Sequence, residues 1–273
     1  MCKFLGVNRS IFYYKPKNKS KAKQEAEDRL EQAVVREFKS SRNNYGTRKL
    51  KVQLSRLGMV ISRRKIGAIM AKNGLVSNYT IKQFKKHKHD ANQTKIDNVV
   101  QRKFSGRKPL EVVVSDLTYV NVRGKWHYIC LIIDIAGREI IGYSAGKNKD
   151  ANLIEKAFYS MKAKLSNIQI FHTDRGSEFN NQSIDRIIKT FGITRSLSRK
   201  GNPYDNAVAE ATYKIIKTEF AFNRIFDNFE QLQYLLFDYV HWFNHIRIHS
   251  SLGYLSPAQF KQKSSTINCP ILR

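Results

Sequence analysis

Three acidic side chains in this sequence are spaced for phosphate chemistry. Asp116 lies in VVVSDLTYV, Asp174 in FHTDRGSEF and Glu210 in SLSRKGNPYDNAVAE, with 57 and 35 residues between successive acids. Three carboxylates brought together would repel one another unless a cation sat between them. Oxygen ligands with open positions suit Mg²⁺ or Mn²⁺, which keep waters and accept phosphate oxygens. Two such ions about 3.5–4 Å apart could activate an attacking oxygen and stabilise a leaving one in phosphodiester exchange. The attacking group would be water for hydrolysis, or a DNA 3′-hydroxyl for strand transfer.

On a helix starting near Ala207, Glu210, Lys214 and Lys217 fall at i, i+4 and i+7 and share a face, while Val208, Ala211 and Ile215 form another. Taken alone, Glu210 and Lys214 are a surface pair worth about 0.2–0.5 kcal/mol. Two upstream aspartates, each expected at a strand end, and a lysine a turn further on give the glutamate its other reading. Asp134 precedes Ile135-Ala136-Gly137-Arg138 and reads as a turn residue, and Glu178 and Asp185 read as surface acids. His172 could orient Asp174, approach a phosphate, or simply pack at a strand end. His241, His245 and His249 recur at helical spacing, but their aromatic setting (Phe237, Tyr239, Trp242, Phe243) favours packing and hydrogen bonding over a metal site. Cys2, Cys130 and Cys269 have no paired spacing, which argues against a disulfide framework or a cysteine zinc finger; His87 and His89 lack a matching pair.

The elements that must position the acids can be read from periodicity. Glu111–Val122, Trp126–Ile135 and Glu139–Ala145 are rich in β-branched residues and separated by short turns, a meander. A helix over Ala151–Leu165, a strand over Ile168–His172, a helix over Ser183–Phe191 and a strand over Ile193–Leu197 precede the Glu210 helix, expected over Ala207–Phe220 with Asp205 or Asn206 as cap. The order β-β-β-α-β-α-β-α is that of a ribonuclease-H-like α/β domain with a mixed five-stranded sheet. A helical crossover makes its first strand parallel to its fourth. Asp116 and Asp174 are thereby expected side by side at the sheet's carboxyl end.

Upstream, Leu30, Ala33, Val34 and Phe38 mark an amphipathic helix. Two short helices follow, from about Arg48 to Leu57 and from Arg63 to Asn73, the second with Ser62 as N-cap and Gly74 after its end. Arg63, Arg64 and Lys65 open the last helix, as expected of a small helix-turn-helix that meets DNA; a helical bundle with a solvated basic face is the alternative. Met1–Lys15 resembles the tail of a further helix-turn-helix. The expected organisation is a partial helix-turn-helix and basic linker at 1–23, a helix-turn-helix domain at 24–76, a basic linker at 77–108, the catalytic core at 109–222 and a helical extension at 223–273.

Charge points to the partner. The 273 residues carry a net +27, and residues 1–109 hold 28 Lys and Arg against 7 Asp and Glu, whereas 110–273 hold 21 against 15. A polyanion gripped mainly by the amino-terminal part follows, nucleic acid rather than an anionic membrane surface, since no basic amphipathic helix with a Trp/Phe face is present. No apolar run reaches a membrane span and no signal-peptide pattern opens the chain, so a cytoplasmic protein is expected.

The acids and their surroundings resemble the DDE transposases of bacterial insertion sequences, within the retroviral-integrase superfamily, and more narrowly the second-reading-frame product of the IS-three group. FNHIRIHSSLGYLSPAQF, Phe243–Phe260, is similar to that group's carboxyl-terminal pattern, and Tyr45-Gly46-Thr47-Arg48 to its helix-turn-helix. Val114 stands where the group often has Trp, and Phe243 where it has Tyr. The resemblance implies that Asp116, Asp174 and Glu210 bind two Mg²⁺ ions, with Mn²⁺ as substitute. It implies that Lys217, with Lys214 on the same face, contacts DNA near the site, and that Arg199, Lys200, Asn202 and Tyr204 line the loop against the element's end. The aromatic setting of the carboxyl-terminal histidines, for its part, makes Arg247 and His249 the expected anchors of that segment near the catalytic sheet. The activity implied is donor-strand cleavage at the terminal inverted repeats, a circular intermediate and 3′-hydroxyl attack on target DNA. It is expected from a homo-oligomer on DNA in the bacterial nucleoid, with the upstream reading-frame product fused or in trans. A catalytically silent DNA-binding regulator and a ribonuclease-H-type nuclease are the competing readings.

Overall fold

The computed structural model describes Phe4, Gly6 and residues 21–80, 97–101, 106–199, 207–222 and 224–267. The expected helix-turn-helix tail at 1–15, His87 and His89, and the stretch 200–206 with Lys200, Asn202, Tyr204, Asp205 and Asn206 lie outside the described residues. The chain divides into two compact units, Met1–Val76 and Ser77–Arg273.

The first unit is helical: α1 (Lys21–Ser40), α2 (Thr47–Arg56) and α3 (Arg63–Lys72). Ala33, Val34 and Phe38 of α1, Leu50 and Leu54 of α2, and Ile66, Ile69 and Met70 of α3 are buried. The turn after α1 is built by Ser41, whose hydroxyl donates to the Phe38 carbonyl and accepts the Asn44 and Tyr45 amides. Ser62 caps α3 by accepting the Lys65 amide at 3.2 Å. At the other end Gly74 takes φ +61° and the Leu75 amide reaches back to the Met70 carbonyl at 2.8 Å, a glycine-dependent stop. Arg63, Arg64 and Lys65 are exposed on the first turn of α3.

The second unit is built on a five-stranded sheet in the order β3-β2-β1-β4-β5: β1 (Val112–Val122), β2 (Lys125–Asp134), β3 (Ile140–Gly146), β4 (Ile170–Thr173) and β5 (Thr194–Leu197). β1–β2 and β2–β3 are antiparallel, β1–β4 and β4–β5 parallel. Alternation along β1 sends Val112, Val114, Val120 and Val122 to one core and Val113 to the other. The first core is closed by α6 (Ala207–Ile216) and α7 (Phe229–His245), the second by α4 (Ala151–Tyr159) and α5 (Gln182–Thr190). α4 lies so close to β3 that a Cβ on Gly142 would stand 2.5 Å from the Ala157 carbonyl oxygen. After α7 the chain makes a short turn and ends its described part in α8 (Pro257–Ile267), where Ser256 and Gln259 exchange side-chain and backbone bonds as a capping box.

Two elements differ from expectation. α4 stops at Tyr159 rather than Leu165, because the Ser160 hydroxyl turns back to the Ala157 carbonyl and accepts the Tyr143 amide of β3. The Glu210 helix does not run on as α-helix to Phe220: it becomes a π-turn over Lys217–Ala221, where Thr218 Oγ1 bonds the Lys214 carbonyl. Among the described residues no helix is long and apolar enough to cross a membrane.

Candidate active site

The parallel pairing of β1 with β4 runs Val112–Ile170, Val113–Phe171, Val114–His172. Two residues further along both strands, that register brings Asp116 abreast of Asp174. Asp174 stands one residue past β4, but Asp116 is not at a strand end as expected. It is mid-strand, and what stops beside it is the pairing to β4, while β1 continues to Val122 against β2 alone. The sheet therefore splits at the two acids.

Asp116 carries the electrostatic signature of the site. Burial and then the Asp174 charge push its carboxyl up to about 7, against the bond its Oδ1 accepts from the Leu117 amide at 2.7 Å and the attraction of Lys217. Asp174 Oδ1 accepts the Gly176 amide at 3.0 Å, which shapes the turn after β4. Arg175 Nε ties that turn to the Ser198 carbonyl at 2.9 Å, just before the 200–206 stretch.

Glu210 is half-buried on α6, whose buried face is Val208, Thr212, Tyr213 and Ile216, with Ala211 exposed instead of sharing the apolar face expected of it. Tyr213 pins this helix to the centre of the sheet: its hydroxyl donates to the Asp116 carbonyl and accepts the Leu131 amide at 2.9 Å. Glu210 lies one turn before Tyr213, so the helix that carries it is fixed to the backbone of Asp116 itself. Among the described residues, no three His, Cys, Asp or Glu side chains stand together as a ready-made metal cage. Like charges without a cation have every reason to stay apart.

Lys217 follows on the π-turn, its ammonium 5.3 Å over the ring of Tyr119. Lys214 and Arg199 are exposed. His172 is fully buried and its Nδ1 meets Ser196 Oγ at 2.9 Å on β5, which places it in the sheet and out of reach of a phosphate. Asp134 accepts the Leu110, Ala136 and Gly137 amides, as a turn residue should. Asp185 pairs at the surface with Arg195, but Glu178 is no surface acid: it is buried, 3.0 Å from Lys149 Nζ, and a Cβ at Gly176 would strike its carboxylate. Its charge adds to the field that raises Asp116. α7 ends at His245, so His249 is not on the same helix as His241 and His245.

A buried ion pair behind Lys217 was not legible in the sequence. Arg247 holds both oxygens of Glu219 at 2.7–3.0 Å, with side chains 3% and 0% exposed. Burial opposes the guanidinium charge, but the Glu219 charge and hydrogen bonds outweigh it and hold Arg247 above its usual range. Tyr239 and Tyr79 donate to the same carboxylate at 3.1 and 2.5 Å, and Arg247 also reaches the imidazole of His249 at 3.1 Å. Glu219 is two residues after Lys217, so this cluster sets the end of the Glu210 helix. Val114 and Phe243, the two departures from the group's pattern, are both fully buried in the core under α6 and α7.

Residues 106–203 and 210–264 each match a family described as "Integrase core domain", and residues 25–83 match an "HTH-like domain". The 31 kDa protein of insertion element IS600 of Shigella sonnei is 30% identical over 96% of this chain and 98% of its own length. The chain belongs to the IS-three group of insertion-sequence transposases. The transposase InsK of IS150 from Escherichia coli K12 is 29% identical over 94% of this chain and 91% of its own, and InsF of IS3A from the same strain 27% over 97% and 93%. This transposase is accordingly a polynucleotidyl transferase with an integrase core and a helix-turn-helix-like unit, and its partner is DNA.

Proposed function

We propose that Asp116, Asp174 and Glu210 are the catalytic acids of Mg²⁺-dependent strand cleavage and 3′-hydroxyl strand transfer at the ends of the insertion sequence. The observation that carries this reading is the parallel register of β1 and β4, which runs toward Asp116 and Asp174 side by side, with the Asp116 carboxyl raised to about 7 by burial and by its neighbour's charge. A carboxylate in that position is one whose ionised form waits for a cation.

The donor set is oxygen only, which fits Mg²⁺ or Mn²⁺. Two bound ions would supply Lewis acidity to the attacking and leaving oxygens of an in-line displacement. Asp116 and Asp174 would hold them from the sheet, and Glu210 would complete the set from α6, whose tilt Tyr213 controls. In the first reaction water attacks the phosphodiester at the element's end, one P–O bond forming and one breaking to leave a 3′-hydroxyl. In the second that hydroxyl attacks a target phosphodiester, and the displaced target 3′-oxygen takes a proton. Lys217 and Lys214 would bind phosphates beside the acids, with Arg199, Lys200, Asn202 and Tyr204 along the element's end.

Arg63, Arg64 and Lys65 would grip the terminal inverted repeats. Three cations on the first turn of a helix oppose its dipole, an arrangement that a DNA phosphate relieves. The domain limits at residues 23, 76, 108 and 222, a homo-oligomer on DNA in the cytoplasm and nucleoid, and cooperation with the upstream reading-frame product complete the reading. The deciding experiment is Asp174→Asn: terminal-repeat DNA is still bound while Mg²⁺-dependent cleavage and transfer are lost. Transfer at the wild-type rate would refute the assignment.

A further inference from the structure

Beyond the acids and lysines, the β1–β2 hairpin exposes two large aromatic rings that the fold does not need outside. Tyr119 is 44% and Trp126 56% exposed. They meet edge to face, centroids 5.1 Å apart at 89°, which fixes the direction in which the indole points. Tyr119 is also covered by the Lys217 ammonium at 5.3 Å, and Lys217 in turn acts on the charge of Asp116. Tyr119 thus lies three residues along β1 from Asp116, roughly 10 Å at strand rise and on the alternate face of the strand, with Lys217 as the link between them. The hairpin turn beside it carries Arg123 and Lys125, both exposed, with Arg123 held at φ +46° by a turn in which Asn121 Oδ1 accepts the Gly124 amide at 2.8 Å.

A rigid, water-facing indole braced by a tyrosine that Lys217 covers, with Arg123 and Lys125 exposed in the adjoining turn, is chemically matched to a flat π-system on an anionic backbone. Exposed aromatic area of this size has a cost in water, and the cations of the adjoining turn favour an anionic over a cationic occupant. We propose that Trp126, braced by Tyr119, is a stacking platform for an unpaired nucleobase of the DNA strand whose phosphate lies at Asp116. The proposal rests on the transposase reading of the acids and adds a specific job: the platform holds the strand end apart from its complement, so that the scissile phosphate enters the split between β1 and β4. Base–aromatic stacking is tolerant of sequence, so the platform serves geometry rather than recognition of the repeat.

The chain has two tryptophans, and the other, Trp242, is 3% exposed, so accessible indole emission belongs to Trp126. The full chain would be mixed with terminal-repeat duplexes carrying 2-aminopurine at each of the last positions in turn, with Ca²⁺ in place of Mg²⁺. Stacking predicts quenched Trp126 emission and a position-specific change in 2-aminopurine emission. Trp126→Ala abolishes the position-specific signal and lowers Mg²⁺-dependent cleavage about tenfold or more, with duplex affinity changed less than about threefold; Trp126→Phe restores most of the rate. Tyr119→Ala has an intermediate effect, because the indole loses its brace. Wild-type cleavage by Trp126→Ala, or an undiminished 2-aminopurine signal in it, overturns the platform while leaving the catalytic acids intact. A wild-type chain that, supplied with the upstream reading-frame product, binds but never cuts overturns the assignment of the catalytic acids, and the platform with it.

Discussion

Replacing Arg247 by methionine removes the only guanidinium that reaches Glu219 among the described contacts of that carboxylate and leaves a buried negative charge with two tyrosine hydroxyls, Tyr79 and Tyr239, as donors. Breaking a buried pair from one side typically costs about 3–5 kcal/mol, and the two remaining hydroxyls put this case near the lower end, about 3 kcal/mol. For a unit of this size each kcal/mol lowers Tm by about 2–4 °C, so Arg247→Met should melt about 6–12 °C below wild type. Both tryptophans lie in the second unit, so tryptophan emission during urea or thermal unfolding reports that unit without interference from the helix-turn-helix. The double variant Glu219→Gln/Arg247→Met should recover part of the loss, since it no longer strands a charge. Because Glu219 closes the π-turn that begins at Lys217, strand transfer should fall in Arg247→Met even well below its Tm. A loss under about 1 kcal/mol, or a double variant less stable than Arg247→Met, would refute the view that this pair organises the end of the catalytic helix.

Two further predictions concern the acids and the helix that serves them. The Asp116 carboxyl, raised from its usual range to about 7, keeps its proton in the folded state between pH 4 and 7 while the unfolded chain has lost it, so metal-free stability should fall as pH rises through that window and level off above it. Asp116→Asn should flatten the slope and, because Asp116 keeps some solvent access, stabilise the metal-free protein at pH 8 by about 1–2 kcal/mol, read by urea unfolding in EDTA at several pH values; stability rising from pH 4 to 7 because of Asp116 would contradict the sign. Tyr213→Phe leaves the Leu131 amide without its 2.9 Å acceptor and should cost about 1–3 kcal/mol, with slower cleavage as α6 loosens from Asp116; unchanged stability and rate would separate the tyrosine from the site.

The alternation of Val112–Val122 and the helical crossover before β4 are local signals, and they were sufficient to give the meander and the parallel pairing of β1 with β4 that runs toward Asp116 and Asp174, as the glycine after α3 was to give that helix its end. What escaped were features made by residues distant in sequence. Glu219 looks like one more surface charge, nothing near Arg247 in the sequence marks Glu219 as the partner through which it anchors, and Tyr79 lies 140 positions from its acceptor in a poorly apolar connector. Glu178 follows a loop glycine and looks solvated, yet Lys149 covers it. The early stop of α4 and the π-turn after Ile216 come from hydroxyls, Ser160 and Thr218, that bond backward to carbonyls, a choice that periodicity does not encode. Tyr213 sits at a helical position where any large apolar residue would satisfy the pattern. Only its hydroxyl against the Asp116 carbonyl distinguishes it.

The most direct measurement is a crystal structure of the chain bound to a terminal-repeat duplex with Mn²⁺, read by anomalous scattering. The account predicts Mn²⁺ peaks between Asp116 and Asp174, about 3.5–4 Å apart if both ions are present, with a Glu210 oxygen completing the ligands. Peaks elsewhere, or a Glu210 that stays turned away while Mn²⁺ and DNA occupy the two aspartates, would contradict it.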